Sequence, residues 1–418
     1  MSEHFDDIYG GFEDEQEDAL QLVQVSLDRG EDATALDLAE SYLEDHPLSV
    51  EALNYCAVAA SNLGDSDKAM ALYLKALKLD PKNGAIHHNY GVLVEGLGFY
   101  DEAYNHFSKS VELQPDFPEA YINLGNVLDE LDRPEESLQM YFQALHRLPD
   151  SADILYNIGY AQNRLKQFGE ALVYFDRALK ISPTDAACLN GRGYALAGQG
   201  ADEEALASYD QAIAHEPDVA TYHYNKGLSL VRLKRREEAL LSFTCALEHD
   251  DDFFDALVER AHLRAEQGDY DAALEDLSAA EKLDPESPDP SFYRAMVLEK
   301  KGDQSGALAA IEESLRHDPD SLFTINNKGN LLMDMGRLDE ALACFDSILV
   351  QTDRYPIAFY NRACVMALKG KVREAIRMLS RAVEQEEHFL TDALEDPDFE
   401  KIRQAPSFVK LLGHYEEK

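Results

Sequence analysis

Residues 152–185 read ADILYNIGYAQNRLKQFGEALVYFDRALKISPTD, and nearly everything else in the chain can be phased on them. Leu155, Ile158, Ala161 and Leu165 recur at helical spacing and fall on one face of a first helix. Phe168, Ala171, Leu172, Phe175, Ala178 and Leu179 do the same for a second. The polar residues between Leu165 and Phe168 make the turn. Pro183 stops the second helix, because proline has no N–H to donate and its ring clashes with the preceding turn. The unit these residues predict is a helix hairpin of 34 residues.

A shift by that period lands on Pro47, Pro81, Pro115, Pro149, Pro183, Pro217, Pro285 and Pro319, with Asp251 and Asp353 in the two remaining places. The second helix carries a ladder of very small residues at Ala35, Ala69, Ala103, Ser137, Ala171, Ala205, Ala239, Ala273, Ala307, Ala341 and Ala375, as two closely approaching helices require. Four residues on comes a bulky filler: Tyr73, Phe107, Tyr141, Phe175, Tyr209, Phe243, Leu277, Ile311, Phe345 or Leu379. The first helix repeats a small residue at Ala57, Gly91, Gly125, Gly159, Gly193, Gly227, Ala261, Ala295, Gly329 and Ala363. Glycine closes most first helices, as at Gly64 and Gly200, where a left-handed cap is expected.

Period and ladders together resemble the tetratricopeptide repeat family. The resemblance implies an all-α, right-handed superhelical solenoid of eleven helix-turn-helix repeats, starting at Gln16, Val50, Gly84, Pro118, Ala152, Ala186, Ala220, Phe254, Pro288, Leu322 and Pro356. Residues 1–15 form an acidic tail, 16–389 the array, and 390–418 a C-terminal capping segment whose helix covers the last repeat. That closing run resembles the one seen after many bacterial tetratricopeptide arrays. In the first repeat Val23 stands where small residues recur, and Ala39 and Tyr42 exchange the usual large and small places, which marks a cap. The tail holds Glu3, Asp6, Asp7, Glu13, Asp14 and Glu15 without a Lys or Arg, and Phe5, Ile8, Tyr9 and Phe12 are spaced to share a face. It is a flexible extension or a docking motif for another protein or for the protein's own groove.

The formal charge of −42 argues against nucleic acid and against anionic membranes, since carboxylates repel phosphates. It fits a solvated outer surface or a basic partner. Five cysteines without a Cys-x-x-Cys pair read as small apolar residues in a reducing compartment. No basic-then-apolar leader and no run of roughly 20 apolar residues is present, so the expected location is cytoplasmic.

Catalysis has no room: eleven repeats leave a tail and a tip too short to bury an active site. Gly191-Arg192-Gly193 lies inside a helix with no strand before it, Asp250-Asp251-Asp252 lacks the ligand alternation of a calcium loop, and the adjacent His87 and His88 point to different sides of a helix. No enzyme activity, cofactor or metal is expected.

Binding has a wall to use, because in this family the first helices line the concave face. Asn89, Asn123, Asn157, Asn225, Asn327 and Asn361 share one register position, and Asn126, Tyr156, Tyr160 and Asn190 lie beside them. An amide both donates and accepts, so such a row suits the backbone of an extended peptide, or it links neighbouring helices. The row resembles that of the repeat domain of O-linked N-acetylglucosamine transferase, with no transferase domain following. One residue further on, Arg192, Lys226, Arg260, Arg294, Lys328 and Arg362 form an inner basic strip that either holds an acidic segment or pairs with acids of the adjacent repeat. The family's clamp for a chaperone C-terminal carboxylate needs a Lys that no repeat supplies. The expected function is a scaffold that binds an extended or helical peptide of a protein partner in its groove; the alternative is self-assembly into a homo-oligomer through the caps or tail.

Overall fold

The computed structural model describes residues 19–416, with side chains to Leu412, and every regular element among them is helical. The chain divides into two compact units, Met1–Pro217 and Asp218–Lys418.

In the first unit a helical run at 19–28 is followed by Asp32–Asp45, and then by antiparallel pairs. These are Val50–Asn62 with Ser66–Leu79, Gly84–Gly96 with Tyr100–Leu113, Pro118–Glu130 with Pro134–Arg147, Ala152–Arg164 with Phe168–Ile181, and Ala186–Gly198 with Asp202–His215. The second unit continues the pairing with Ala220–Arg232 and Arg236–His249, Phe254–Glu266 and Tyr270–Leu283, Asp289–Lys301 and Gln304–His317, Leu322–Asp334 and Leu338–Gln351, and Pro356–Leu368 and Val372–Gln385. Within each unit every repeat helix packs on the next in sequence, and some successive first helices also touch, so they stand side by side as a wall.

Starts and stops have local causes. Ser49, Asn83, Ser151, Asp185 and Ser321 each cap a first helix by accepting the N–H of the third residue on. A left-handed residue follows each first helix, one or two places past its end, in all eleven described hairpins: glycine in eight, Asp132, Lys166 and Lys234 in the others. Those three sit at φ 56°, 57° and 60°, a conformation that side chains with a Cβ pay for in steric strain.

The filler and the small residue are matched in volume. The ring of Tyr141 lies where a Cβ on Gly125 would come within 2.4 Å of it, and Phe243 stands 2.5 Å from the same point on Gly227. Where the filler is aliphatic, at Leu277, Ile311 and Leu379, the facing residue is the larger Ala261, Ala295 or Ala363. The first repeat inverts the arrangement in a way the sequence did not make plain. Val23 and Ala39 are both buried in one cluster, so the large residue at 23 makes up for the small one at 39. Tyr42 does not share in that exchange; it is half-buried and stacks on His46 at 4.4 Å.

The C-terminal end is closed by more than the single helix expected. His388–Glu395, a 3₁₀ turn at Pro397–Phe399 and Pro406–Glu416 bury Phe389, Phe399 and Phe408 against the final repeat. Pro397 starts the turn and Asp396 caps it, which breaks the segment into two helices. Among the described residues no helix is long and apolar enough to cross a membrane.

Candidate peptide-binding face of the first helices

In the first unit the asparagine row forms a directed chain of hydrogen bonds. The amide of Asn89 donates to Asn54 Oδ1 at 3.1 Å, across the seam between neighbouring first helices. Asn123 Nδ2 lies 3.0 Å from His88 Nε2, and His88 Nδ1 lies 3.2 Å from Asn89 Oδ1. An amide nitrogen only donates, so Nε2 accepts and the His88 proton sits on Nδ1, from which it donates to Asn89. Burial holds the His88 imidazole below its ordinary pKa, which keeps it in this neutral form. The chain Asn123, His88, Asn89, Asn54 therefore runs one way through three successive first helices.

One repeat on, Asn157 donates to Asn126 Oδ1 at 3.4 Å, and the same oxygen accepts the Tyr141 hydroxyl at 2.9 Å. The Oδ1 atoms of Asn123 and Asn157 have no donor among the described residues. Beside them Tyr156 packs on Phe175 and stacks on Tyr160 at 6.2 Å. Tyr160 is 46% and Tyr194 49% exposed, although both are large rings on the same register position. Asn190 and Asn225 are half-buried. A depression of about 220 Å³ opens between the first two of these helices, lined by Val58, Ser61, Asn62, His88, Asn89 and Val92 over Tyr73.

The repeats can be matched to known families once this geometry is in view. Models described as tetratricopeptide repeat match residues 50–83, 106–139, 152–185, 258–321 and 326–388, and one described as TPR repeat matches 193–234. The chain belongs to the tetratricopeptide repeat family.

Among solved structures, human IFIT1, described as a dimer with PPP-AAAA, is 19% identical, with a TM-score of 0.50 over 87% of this chain and 89% of that one. Yeast Tom70 is 15% identical, with a TM-score of 0.46 over 96% and 99%. YrrB, described as a TPR protein with an unusual peptide-binding site, is 26% identical, with a TM-score of 0.37 over 44% and 95%. No curated protein matches the chain. The likeness to human IFIT1 bears on the fold of this tetratricopeptide repeat protein alone.

In the second unit the same row behaves differently. Asn361 is buried and donates to both Asn326 Oδ1 at 3.0 Å and Asn330 Oδ1 at 2.8 Å, while Asn327 donates to Phe323 O of its own helix at 2.8 Å. The cations of the neighbouring register position are engaged with acids. Arg192 reaches Asp176 at 2.8 Å, Arg260 reaches Asp276 at 2.7 Å, Arg294 reaches Glu281 at 2.5 Å, Lys328 reaches Glu312 at 2.9 Å and Arg362 reaches Asp346 at 2.5 Å. All but Arg260 pair with the second helix of the preceding repeat, so they tie repeats together; Lys226 occupies the equivalent place in its own repeat.

Two carboxylates on this face escaped the sequence reading. Glu95 is pushed up to about 7 by burial and by the nearby Glu130. One repeat later the place of Glu130 is taken by Arg164, which donates to Asp129 Oδ1 at 3.2 Å and Asp132 Oδ1 at 2.5 Å. Aligning position 130 with 164 shows the sign reversal: where one seam holds an ion pair, its predecessor holds two acids.

Cys364, Asp396 and Asp398 bring three ligand-type atoms together in the second unit. Asp396 already accepts from the Tyr360 hydroxyl at 2.8 Å, from Cys364 Sγ at 3.6 Å and from the Asp398 N–H at 2.9 Å. These contacts fasten the C-terminal segment to the last first helix.

Proposed function

We propose that this chain is a non-enzymatic scaffold whose first-helix face, within residues 50–198, holds an extended segment of a partner protein. The observation that carries the reading is the exposed pair Tyr160 and Tyr194 at one register position of the first helices that follow the amides whose orientation the hydrogen bonds fix. With one N–H of each amide held by the seam, Asn123 and Asn157 offer Oδ1 to backbone N–H groups of a guest, and no side chain must be reoriented to do so. The tyrosine rings supply contact area at low entropic cost. A Lys or Arg of the guest fits over Glu95 and Glu130, where the fold itself supplies Arg164 one repeat later. The partner is thus a peptide with apolar residues and at least one cation.

A display library of random peptides selected on the folded chain tests this. Enriched peptides should carry Lys or Arg next to apolar residues, and Tyr160→Ala with Tyr194→Ala should weaken them by about 10- to 100-fold without lowering the melting temperature. Peptides that bind the double variant equally well would remove the face from consideration.

A further inference from the structure

The last repeat carries an unusual concentration of positive charge. Lys369, Lys371, Arg373, Arg377 and Arg381 follow one another with Glu374 as the one acid among them, in a chain holding 38 Lys and Arg against 80 Asp and Glu. Lys369 is paired with Asp339, and Arg381 lies over the Phe359 ring at 4.6 Å. Arg377 has no acidic partner among the described residues and is exposed. It lines an open cavity of about 440 Å³ with Met378, Arg362, Asp346, Leu349 and Val350. Val350, at 87%, is the most exposed large hydrophobic residue described. Arg362 spends Nε on Asp346, and its Nη1 is buried without an acceptor, so an incoming carboxylate reaches it only if the side chain shifts toward the cavity.

Two guanidinium groups beside an apolar lip select a carboxylate accompanied by an apolar side chain. In a chain so strongly acidic, such a place repels the basic guest proposed for the first-helix face; it is a second site with the opposite preference. Residues 1–15 meet both demands: six acids, no Lys or Arg, and Phe5, Ile8, Tyr9 and Phe12 between them.

We propose that this cavity docks residues 1–15 of a second copy of the chain, with tail carboxylates on Arg377 and Arg362 and a tail aromatic ring against Val350 and Leu349. The contact is heterologous, tail to cavity, so each copy offers one of each and assembly continues until a ring closes or the chain of copies ends.

The test uses the full chain and a labelled peptide of residues 1–15. Fluorescence anisotropy should show the peptide binding, and Arg377→Glu and Val350→Asp should each weaken it by about tenfold or more at unchanged melting temperature. Sedimentation of the parent should give a mass that rises with concentration, and either variant should lower it. A peptide carrying Asp6→Arg and Asp7→Arg should regain affinity for Arg377→Glu. The proposal is overturned if the peptide does not bind, if neither variant matters, if a scrambled peptide of the same composition binds as well, or if the parent stays monomeric at every concentration. Tyr160→Ala with Tyr194→Ala should leave all of these readings unchanged, which keeps the two sites separable.

Discussion

The two units solve one packing problem by different chemistry. At the register position that holds Cys56, Tyr90, Leu124 and Ile158 in the first unit, Arg192 brings in a cation at the end of that unit, and the second unit holds Lys226, Arg260, Arg294, Lys328 and Arg362. In the first unit the seams there are apolar as far as Ile158, and polar bonding moves to the accessible face of the first helices, where amides and one imidazole link repeat to repeat. In the second unit long cationic side chains lie in the seam and reach carboxylates of second helices. The position tolerates both because an arginine or lysine stem covers apolar surface as a leucine does while its head reaches a polar partner. A neutral seam leaves pre-oriented amides on an accessible face, whereas an ionic seam uses up its charges internally.

The largest expected effect strikes the ionic seam where it is least exposed. Asp276, only 4% exposed, holds Arg260 and Arg264, each at 2.7 Å. Asp276→Ala should cost about 3–5 kcal/mol, because two guanidinium groups lose their counter-charge together. Urea unfolding, with hydrogen exchange resolved over residues 254–283, measures it. A loss below about 1 kcal/mol would mean that the buried ion pairs of the second unit add little to its apolar contacts.

An intermediate effect belongs to the neutral seam. The folded-state pKa of His88 is lowered, so between that value and the unfolded one of about 6.5 the unfolded chain binds more protons. Stability is then fully present above pH 6.5 and falls as the pH drops through this window. His106 is lowered by burial and by His87 and acts with the same sign. His88→Gln, which keeps a donor and an acceptor, should remove about 1 kcal/mol of the loss between pH 7.5 and 5, leaving the share of His106. A melting curve as steeply pH-dependent as that of the parent would refute the neutral chain through His88.

The smallest effect should be the same in both units. Lys166 and Lys234 are left-handed at the turn where eight other hairpins have glycine. Lys166→Gly and Lys234→Gly should each stabilise by roughly 0.5–1 kcal/mol, the relieved strain exceeding the added flexibility of the unfolded chain. Differential scanning calorimetry of the two single variants checks it; unequal shifts would show that the turn is coupled to the seam beside it.

Much of the fold was legible in residues 152–185 alone. Small residues at 159 and 171, a ring at 175 and a proline at 183 dictate two close helices and an end, and steric rules act at short range. The candidate site was legible only as a row of residue types. Asn89, Asn123 and Asn157 were found by their period, yet the period is silent about whether an amide faces a guest or a neighbour. His88, the central member of the chain, stands outside the row by one position. The acids Glu95 and Glu130 were missed because they occupy adjacent register positions and meet only when two repeats stack.

The sequence by itself determined the repeat, eight of its left-handed turns and most of the matched pairs of small and bulky residues, since each follows from backbone sterics and volume within one hairpin. Only the tertiary structure decided which carboxylate each cation takes, which way the amide chain runs, and that Arg377 and Val350 border one cavity. Those outcomes depend on the offset between stacked helices, a distance set by the packing of two repeats together and written in neither of them alone.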